Sequence, residues 1–349
     1  MGVNALNEIL AKFDIDLIQP SFKHISQGYI NDTYFVALEG ETKFVLQRIN
    51  SSIFKDIVGL HQNIELALAK LVANDYVQLK LYRTHNGEPY LLEDGNCWRL
   101  MNFIPNSEAH NFTLNSTVAL EAGKLIGRFH QLLKHEDLSC YADTLPNLNY
   151  LPFHSEAFTN VLDNSEVNWK LLALEEVNFA KRHLESFNDF YEASLPHRVC
   201  HNDTKLNNFL FDGEHNGLCL IDLDTIMMGY FHYDFGDAVR TVVSETNEDE
   251  RDLKKIDFNL DLFASFIDGV SHSGLKLTDK EIAYLPMSCA LMPYMHGLRA
   301  LTDYLNGNIH YKVSYPDQNL DRCKSLFRFA TLALTNKSTI EEIIVNRLK

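Results

Sequence analysis

Residues 199–224 read VCHNDTKLNNFLFDGEHNGLCLIDLD, and no other stretch limits so tightly what this chain can fold into. Two short apolar runs, NFLF at 208–211 and LCLID at 218–222, flank the turn formers DGEHNG at 212–217. That is the pattern of a β-hairpin. A hairpin brings the start of its first strand beside the end of its second, so Asn208 and Asp222 become neighbours. An amide oxygen and a carboxylate together suit Mg²⁺ held with substrate phosphates. Asp203 stands five residues before Asn208, on the loop entering the hairpin, and Lys205 follows it by two. Phosphoryl transfer calls for these residue types. A carboxylate positions the attacking hydroxyl and accepts its proton, while a cation and a metal offset charge on the transferring group. On this reading Asp203 is the base, Lys205 the phosphate contact, Asn208 and Asp222 the metal ligands, and Asp224 a further carboxylate toward the metals.

The rest of the chain sets the frame for that hairpin. YINDTYFVAL (29–38) and TKFVLQRI (42–49), separated by Glu39-Gly40-Glu41, predict a first hairpin, and IVGLHQNIELALAKLVA (57–73) predicts a helix. YVQLKLYRT (76–84) and CWRLMNFI (97–104) read as strands, with a second hairpin between them around Asn86-Gly87 and Asp94-Gly95. After Pro105 helices dominate: 116–134, 165–192 and most of 250–349. A strand-rich start and a helix-rich remainder predict two lobes joined near 101–107. A length of 349 residues, 46% of them apolar, can fill both. Gly123 and Gly127 spell Gly-x(3)-Gly in the helix over 116–134, which predicts close helix packing.

Composition excludes several classes. A net charge of -16 disfavours nucleic acid and anionic lipid as partners, and requires any phosphate site to be locally positive. There is no apolar run long enough to span a membrane, and MGVNALNEIL lacks a secretory signal pattern. The six cysteines have neither metal-ligand nor redox spacing, so free thiols in a reducing cytoplasm are expected.

The arrangement His201-x-Asp203-x(4)-Asn208 followed by Ile221-Asp222 resembles the aminoglycoside phosphotransferase and choline kinase superfamily. It also parallels the protein-kinase catalytic loop. The resemblance implies an α+β, two-lobed protein-kinase-like fold, with ATP and Mg²⁺ as cofactors. Residues 1–103 would form the nucleotide-binding lobe and 104–349 the catalytic and acceptor-binding lobe. It implies Gly28 as the single glycine of a reduced glycine loop, SQGYIND (26–32). Arg48 stands at the end of FVLQR, where kinases carry a phosphate-pairing lysine, with Glu65 of the next helix as its partner. Met101 and Phe103 fall in a hinge over 101–104 that would offer backbone groups to adenine. His201 orients the loop. Asp234-Phe235-Gly236 spells the kinase metal motif, yet lies 26 residues past Asn208, too far to close the hairpin. Asp234 and Asp237 are therefore read as helix-entry or loop-fixing carboxylates.

Further blocks are similar to the N-acetylhexosamine 1-kinases: GYINDTYFV (28–36), FVLQRINSSIF (44–54), HNDTKLNNFLF (201–211), IDLDTIMMG (221–229), YDFGDAVR (233–240) and LRALTDYLNGNIHYKV (298–313). That similarity implies transfer of the γ-phosphoryl group of ATP to the anomeric hydroxyl of an N-acetylated amino sugar. Arg299, Asp303 and Tyr311 would then reach into the sugar site. Arg240 matches too, and reads equally well as a structural salt bridge to Asp234 or Asp237. A kinase of another small alcohol, such as an aminoglycoside, choline, ethanolamine or homoserine, is the alternative. A cationic acceptor calls for a ring of carboxylates, a sugar for mixed Arg, Asp and aromatic groups. A nucleotide-binding protein without catalysis is the third reading, disfavoured because Asp203, Lys205, Asn208 and Asp222 are all present.

Overall fold

The computed structural model describes residues 2–25 and 30–349. Helix α1 (Val3–Leu10) precedes β1 (Ser21–Ile25), β2 (Asp32–Leu38), β3 (Glu41–Ile49), α2 (Ile57–Lys70), β4 (Leu81–Tyr82), β5 (Leu91–Glu93) and β6 (Asn96–Asn102). Then come β7 (Ser107–Glu108), α3 (Ser116–Leu132), α4 (Leu151–Asn164), α5 (Val167–Leu172), α6 (Leu174–His183) and α7 (Asn188–Glu192). The chain finishes with β8 (Arg198–Cys200), β9 (Phe209–Asp212), β10 (Gly217–Leu220), β11 (Met227–Gly229), α8 (Phe231–Val242), α9 (Leu260–His272), α10 (Asp279–Leu305), α11 (Gln318–Thr335) and α12 (Lys337–Leu348). The fold is mixed α+β, with a strand-rich N-terminal part and a helical C-terminal part.

The antiparallel sheet runs β1-β2-β3-β6-β4, with β5 also on β6. Glu39 and Gly40 both have positive φ (51° and 85°), the backbone a two-residue turn between twisted strands needs, and Gly40 takes it without steric cost. Side chains alternate across the sheet. Tyr34, Val36, Phe44, Leu46, Trp98 and Leu100 bury one face beneath Leu6, Ile9 and Leu10 of α1. Phe35, Val45, Gln47, Arg99 and Met101 lie on the opposite face, toward the helical part. Helix α2 joins the larger core instead: Leu60, Ile64 and Ala67 pack in one apolar cluster that continues through α3, α8, α9 and α10.

The first strand escaped the sequence reading because SFKHI is a half-exposed edge with no clean alternation. The strand expected over 76–84 shrinks to Leu81–Tyr82. Part of that run serves the other half of the molecule, since the Val77 amide donates to the Leu218 carbonyl at 2.8 Å. In the helical part α3 lies against α9 with almost no side chain between them. A Cβ on Gly123 would collide with the Phe266 carbonyl, and one on Gly269 with the Leu120 carbonyl, so the glycine spacing marks close packing. Helix α10 opens with a capping box between Thr278 and Glu281 and runs 27 residues through the core. Among the described residues no helix is long and apolar enough to cross a membrane. All six cysteines are free, and five are buried.

Candidate active site

The loop between β8 and β9 is pinned from below by the first turn of α8. Asp234 accepts the backbone N–H of His201 at 2.8 Å and of Asn202 at 2.6 Å, and meets His130 Nε2 at 2.8 Å. The Thr204 hydroxyl donates to the Asp234 carbonyl at 2.5 Å. Both oxygens of Asp234 are thus spent on shaping the loop, the role assigned to it against its kinase-like spelling. His201 Nε2 donates to the Ile221 carbonyl at 2.8 Å, and its Nδ1 accepts the Asp203 N–H at 3.3 Å. Through these two ring contacts the imidazole fastens loop to hairpin.

Four of the sequence-selected residues converge. Asp203 Oδ2 takes Lys205 Nζ at 2.9 Å and Asn208 Nδ2 at 3.1 Å, and Asn208 Nδ2 also donates to the Asp203 carbonyl at 2.8 Å. No hydrogen bond from a described residue ends on Asp203 Oδ1. Burial alone would raise the Asp203 carboxyl, but Lys205 outweighs it and holds the group below its ordinary range. Burial opposes the charge on Lys205 as well; Asp203 and then Asp222 overcome it and hold the ammonium above its usual range. The hairpin closes through the Ile221 amide on the Asn208 carbonyl at 2.8 Å, which brings Asp222 alongside. Asp222 has φ +62°, a left-handed backbone that carries a cost for any residue other than glycine. Its carboxyl is pushed up to about 6, first by burial and then by Asp224, despite Lys205. Asn208 Oδ1 and the Asp222 carboxylate receive no hydrogen bond from described residues. Two unspent hard oxygens on one closed hairpin fit a magnesium ion.

Asp224 is not available in the same way. Its Oδ1 is paired with Arg99 of β6 and its Oδ2 accepts Asn31 Nδ2 at 2.7 Å, with the side chain 3% exposed. The metal role read for it from sequence is corrected accordingly: a short 3-10 turn after Asp222 rotates it back toward the sheet. Arg99 also donates to Gln47 Oε1, at 2.9 Å from Nε and 2.6 Å from Nη2.

The expected Arg48–Glu65 pair is not formed. Arg48 shares its face with Leu46, and that face lies under α1; its Nε donates to Asp32 Oδ2 at 2.8 Å. Glu65 instead pairs with Arg83 at the surface. The position of β3 on the face turned toward the helical part is Gln47, and the cation there is Arg99 on the neighbouring strand, directly opposite in register. The two-residue period held this information, since Gln47 is the residue opposite in phase to Leu46. Met101 sits on the cleft face, pairing with Val45 and Leu81. The Phe103 amide donates to the Lys43 carbonyl at 2.8 Å, so it is not among the backbone groups the hinge leaves for adenine, while its ring meets Phe35 edge-on at 5.2 Å. Phe35, Val45, Met101 and Phe103 are all half-buried, a small apolar platform of which sequence reasoning found two members. Gly28 lies outside the described residues.

A second layer of charge adjoins the cluster. Asp237 of α8 acts electrostatically on both Asp203 and Lys205. Its Oδ1 accepts Arg240 Nε at 2.7 Å and lies 3.1 Å from His296 Nε2, while its Oδ2 is buried with no partner. Burial would raise this carboxyl, but Arg240 and His296 hold it far below the ordinary range. Arg240 continues to Glu248, which also binds Arg322 at 2.7 Å, and Arg322 lies over the Tyr311 ring at 5.1 Å. Of its two readings, Arg240 takes the salt bridge to Asp237. Asp303 is a correction: its oxygens accept the N–H of His310 at 2.9 Å, the N–H of Tyr311 at 3.0 Å and Asn319 Nδ2 at 3.0 Å. It caps the loop after α10 and is 2% exposed, serving loop amides and not an open site. Arg299, half-buried, has no hydrogen-bond or ion-pair partner among the described residues. Open cavities of about 450 and 510 Å³ lie elsewhere, and Asp203, Lys205, Asn208 and Asp222 do not line them.

Residues 21–262 match the phosphotransferase enzyme family, APH. Solved structures agree over nearly the whole chain at low identity, which is a likeness of fold. An AMP-bound spectinomycin phosphotransferase aligns with TM-score 0.64 at 14% identity, covering 96% of this chain and 98% of its own. A microcompartment-associated aminopropanol kinase aligns with TM-score 0.62 at 15% identity, covering 97% and 99%. Choline kinase from Cryptosporidium parvum aligns with TM-score 0.55 at 13% identity, covering 99% and 97%.

Proposed function

Because this chain belongs to the phosphotransferase enzyme family, we propose that it transfers the γ-phosphoryl group of ATP to a hydroxyl of a small molecule, and that this hydroxyl is the anomeric one of an N-acetylhexosamine. The observation that carries the first part is the division of labour within one carboxylate. Asp203 Oδ2 is anchored by Lys205 and Asn208, which leaves Oδ1 open to an acceptor hydroxyl. Held charged beside Lys205, the carboxylate aligns the hydroxyl and takes its proton as the phosphorus–oxygen bond forms. Lys205 places positive charge next to the incoming phosphoryl group in a protein of net charge -16. Asn208 and Asp222 are the residues that would hold Mg²⁺, which when bound supplies charge neutralisation to the phosphates. The apolar platform of Phe35, Val45, Met101 and Phe103 suits the adenine ring. Residues 1–103 then carry the nucleotide side and 104–349 the catalytic and acceptor side. A reducing, cytoplasmic setting suits five buried free cysteines.

For the acceptor, the groups beyond Asp203 are mixed in sign: Asp237 with its Oδ2 unpartnered among the described residues, His296, Arg240, and Arg299 without an ion pair to any described residue. Such a set fits a neutral, hydroxyl-rich sugar better than a cation, which calls for carboxylates alone. The sequence blocks that resemble the N-acetylhexosamine 1-kinases favour the same choice. The second reading is a kinase of an amino alcohol, favoured by the unpartnered, buried Asp237 oxygen and by the aminopropanol and choline kinases among the fold relatives. Release of ADP from ATP and Mg²⁺ should be measured over N-acetylglucosamine, N-acetylgalactosamine, glucose, choline, homoserine and kanamycin. Turnover on the acetylated sugars, giving an acid-labile, alkali-stable phosphate, is the expected result. Turnover on a cationic member alone would keep the catalytic assignment and overturn the sugar.

A further inference from the structure

We propose that Glu108, His110 and His215 form a binding site for a divalent cation of the zinc class, separate from the phosphoryl-transfer site. Glu108 ends β7, His110 follows it by two residues, and His215 sits in the turn between β9 and β10. The ladder that pairs Glu108 with Phe211 and Ser107 with Asp212 brings the two segments together. The turn is braced by Asp212 Oδ1, which accepts the N–H groups of Glu214 and Asn216, each at 2.9 Å. One ligand atom from each of the three side chains lies within 4.8 Å of the other two.

The distances separate metal ligation from ordinary pairing. His110 Nε2 is 3.5 Å and His215 Nδ1 is 3.6 Å from the same Glu108 oxygen. Both exceed a normal N–H···O contact. Both nitrogens are shielded from solvent and have no hydrogen-bond partner among the described residues. A tetrahedral ion with bonds of about 2.0–2.1 Å sets its ligand atoms roughly 3.4 Å apart, close to the two distances from the Glu108 oxygen. Two imidazoles and one carboxylate select a zinc-class ion over Mg²⁺ and leave a fourth position for water. The other convergent group, His130, Cys200 and Asp234, is closed to this role because Asp234 is spent on the catalytic loop. Bound metal would tie the segment following β6 to the turn of the hairpin whose far end carries Asn208 and Asp222.

The test is a Co²⁺ titration of the untagged full-length protein, read by visible ligand-field absorption with excess Mg²⁺ present, followed by competition with Zn²⁺. The expected result is about one equivalent of Co²⁺ displaced by Zn²⁺, with a raised melting temperature. His110→Ala and His215→Ala should each weaken binding by at least about tenfold, and Asp222→Ala should not change it. Glu108→Gln, at a half-exposed position, serves as the ligand variant if a histidine variant does not fold. Absence of binding to the wild type, unchanged affinity in the ligand variants, or loss in Asp222→Ala would overturn the proposal.

Discussion

Arg99 of β6 and Asp224, two residues past the closing carboxylate of the β9–β10 hairpin, form an ion pair whose side chains are 1% and 3% exposed. The pair is completed by neutral groups, Gln47 on the arginine and Asn31 on the carboxylate. It joins the strand-rich part to the hairpin that carries Asn208 and Asp222. It also places a cation on the cleft face of the sheet, one strand away from where the sequence suggested it.

Buried charge pairs respond asymmetrically to substitution. Arg99→Met leaves a carboxylate buried without its counter-ion, and we expect a loss of about 3–5 kcal/mol in unfolding free energy. The double variant Arg99→Met with Asp224→Leu removes both charges and should regain most of that loss. Urea unfolding of the two variants and the wild type measures it. A double variant no more stable than the single would show that the pair is not the cause.

Asp203→Asn keeps the shape of the side chain and removes its basicity. We expect kcat to fall by about 10²–10⁴-fold, with the melting temperature and the ATP KM close to wild type. A parallel rise in the ATP KM would place Asp203 in nucleotide binding instead.

Asp222 receives no hydrogen bond from described residues, so its removal should act through the metal. In Asp222→Ala the Mg²⁺ concentration for half-maximal activity should rise by at least about tenfold, together with a loss of kcat. An unchanged magnesium profile would move the ion elsewhere. The variant also relieves little backbone strain, because alanine at φ +62° is no better placed than aspartate.

What the sequence revealed was mostly local. Asp203, Lys205, Asn208 and Asp222 lie within one hairpin and its entry loop, so turn chemistry and strand length placed them side by side. Asp224 failed because a tertiary partner 125 positions away claims it, and spacing within the motif carries no sign of Arg99. Arg48 failed by one residue, and in a strand one residue is the other face of the sheet. Asp303 looked like a ligand because a buried carboxylate at the end of a helix serves loop amides and substrates with the same oxygens. The pairing of Asp237 with His296 becomes visible only when α8 and α10 are packed against each other, since nothing local links the two.

The buried histidines make stability depend on pH in one direction. His232 donates from Nε2 to the Glu281 carbonyl at 2.9 Å, its Nδ1 has no partner, and the Phe190 ring lies 5.3 Å away. Burial lowers it from the ordinary 6.5 to about 4, with Glu281 opposing the shift and Arg198 adding to it. Between those values the unfolded chain binds a proton that the folded chain refuses, so stability falls as pH falls. The contribution is complete above pH 6.5 and lost by about pH 4, and it amounts to about 3 kcal/mol. His61 and His154, also lowered to about 4 mainly by burial, act in the same direction. His232→Phe removes one share of the titration. Its unfolding free energy should change less steeply than wild type across this window, whatever its stability at neutral pH. Denaturant unfolding at half-unit pH steps measures the slope, and equal slopes for the two proteins would mean that His232 takes up its proton in the folded state.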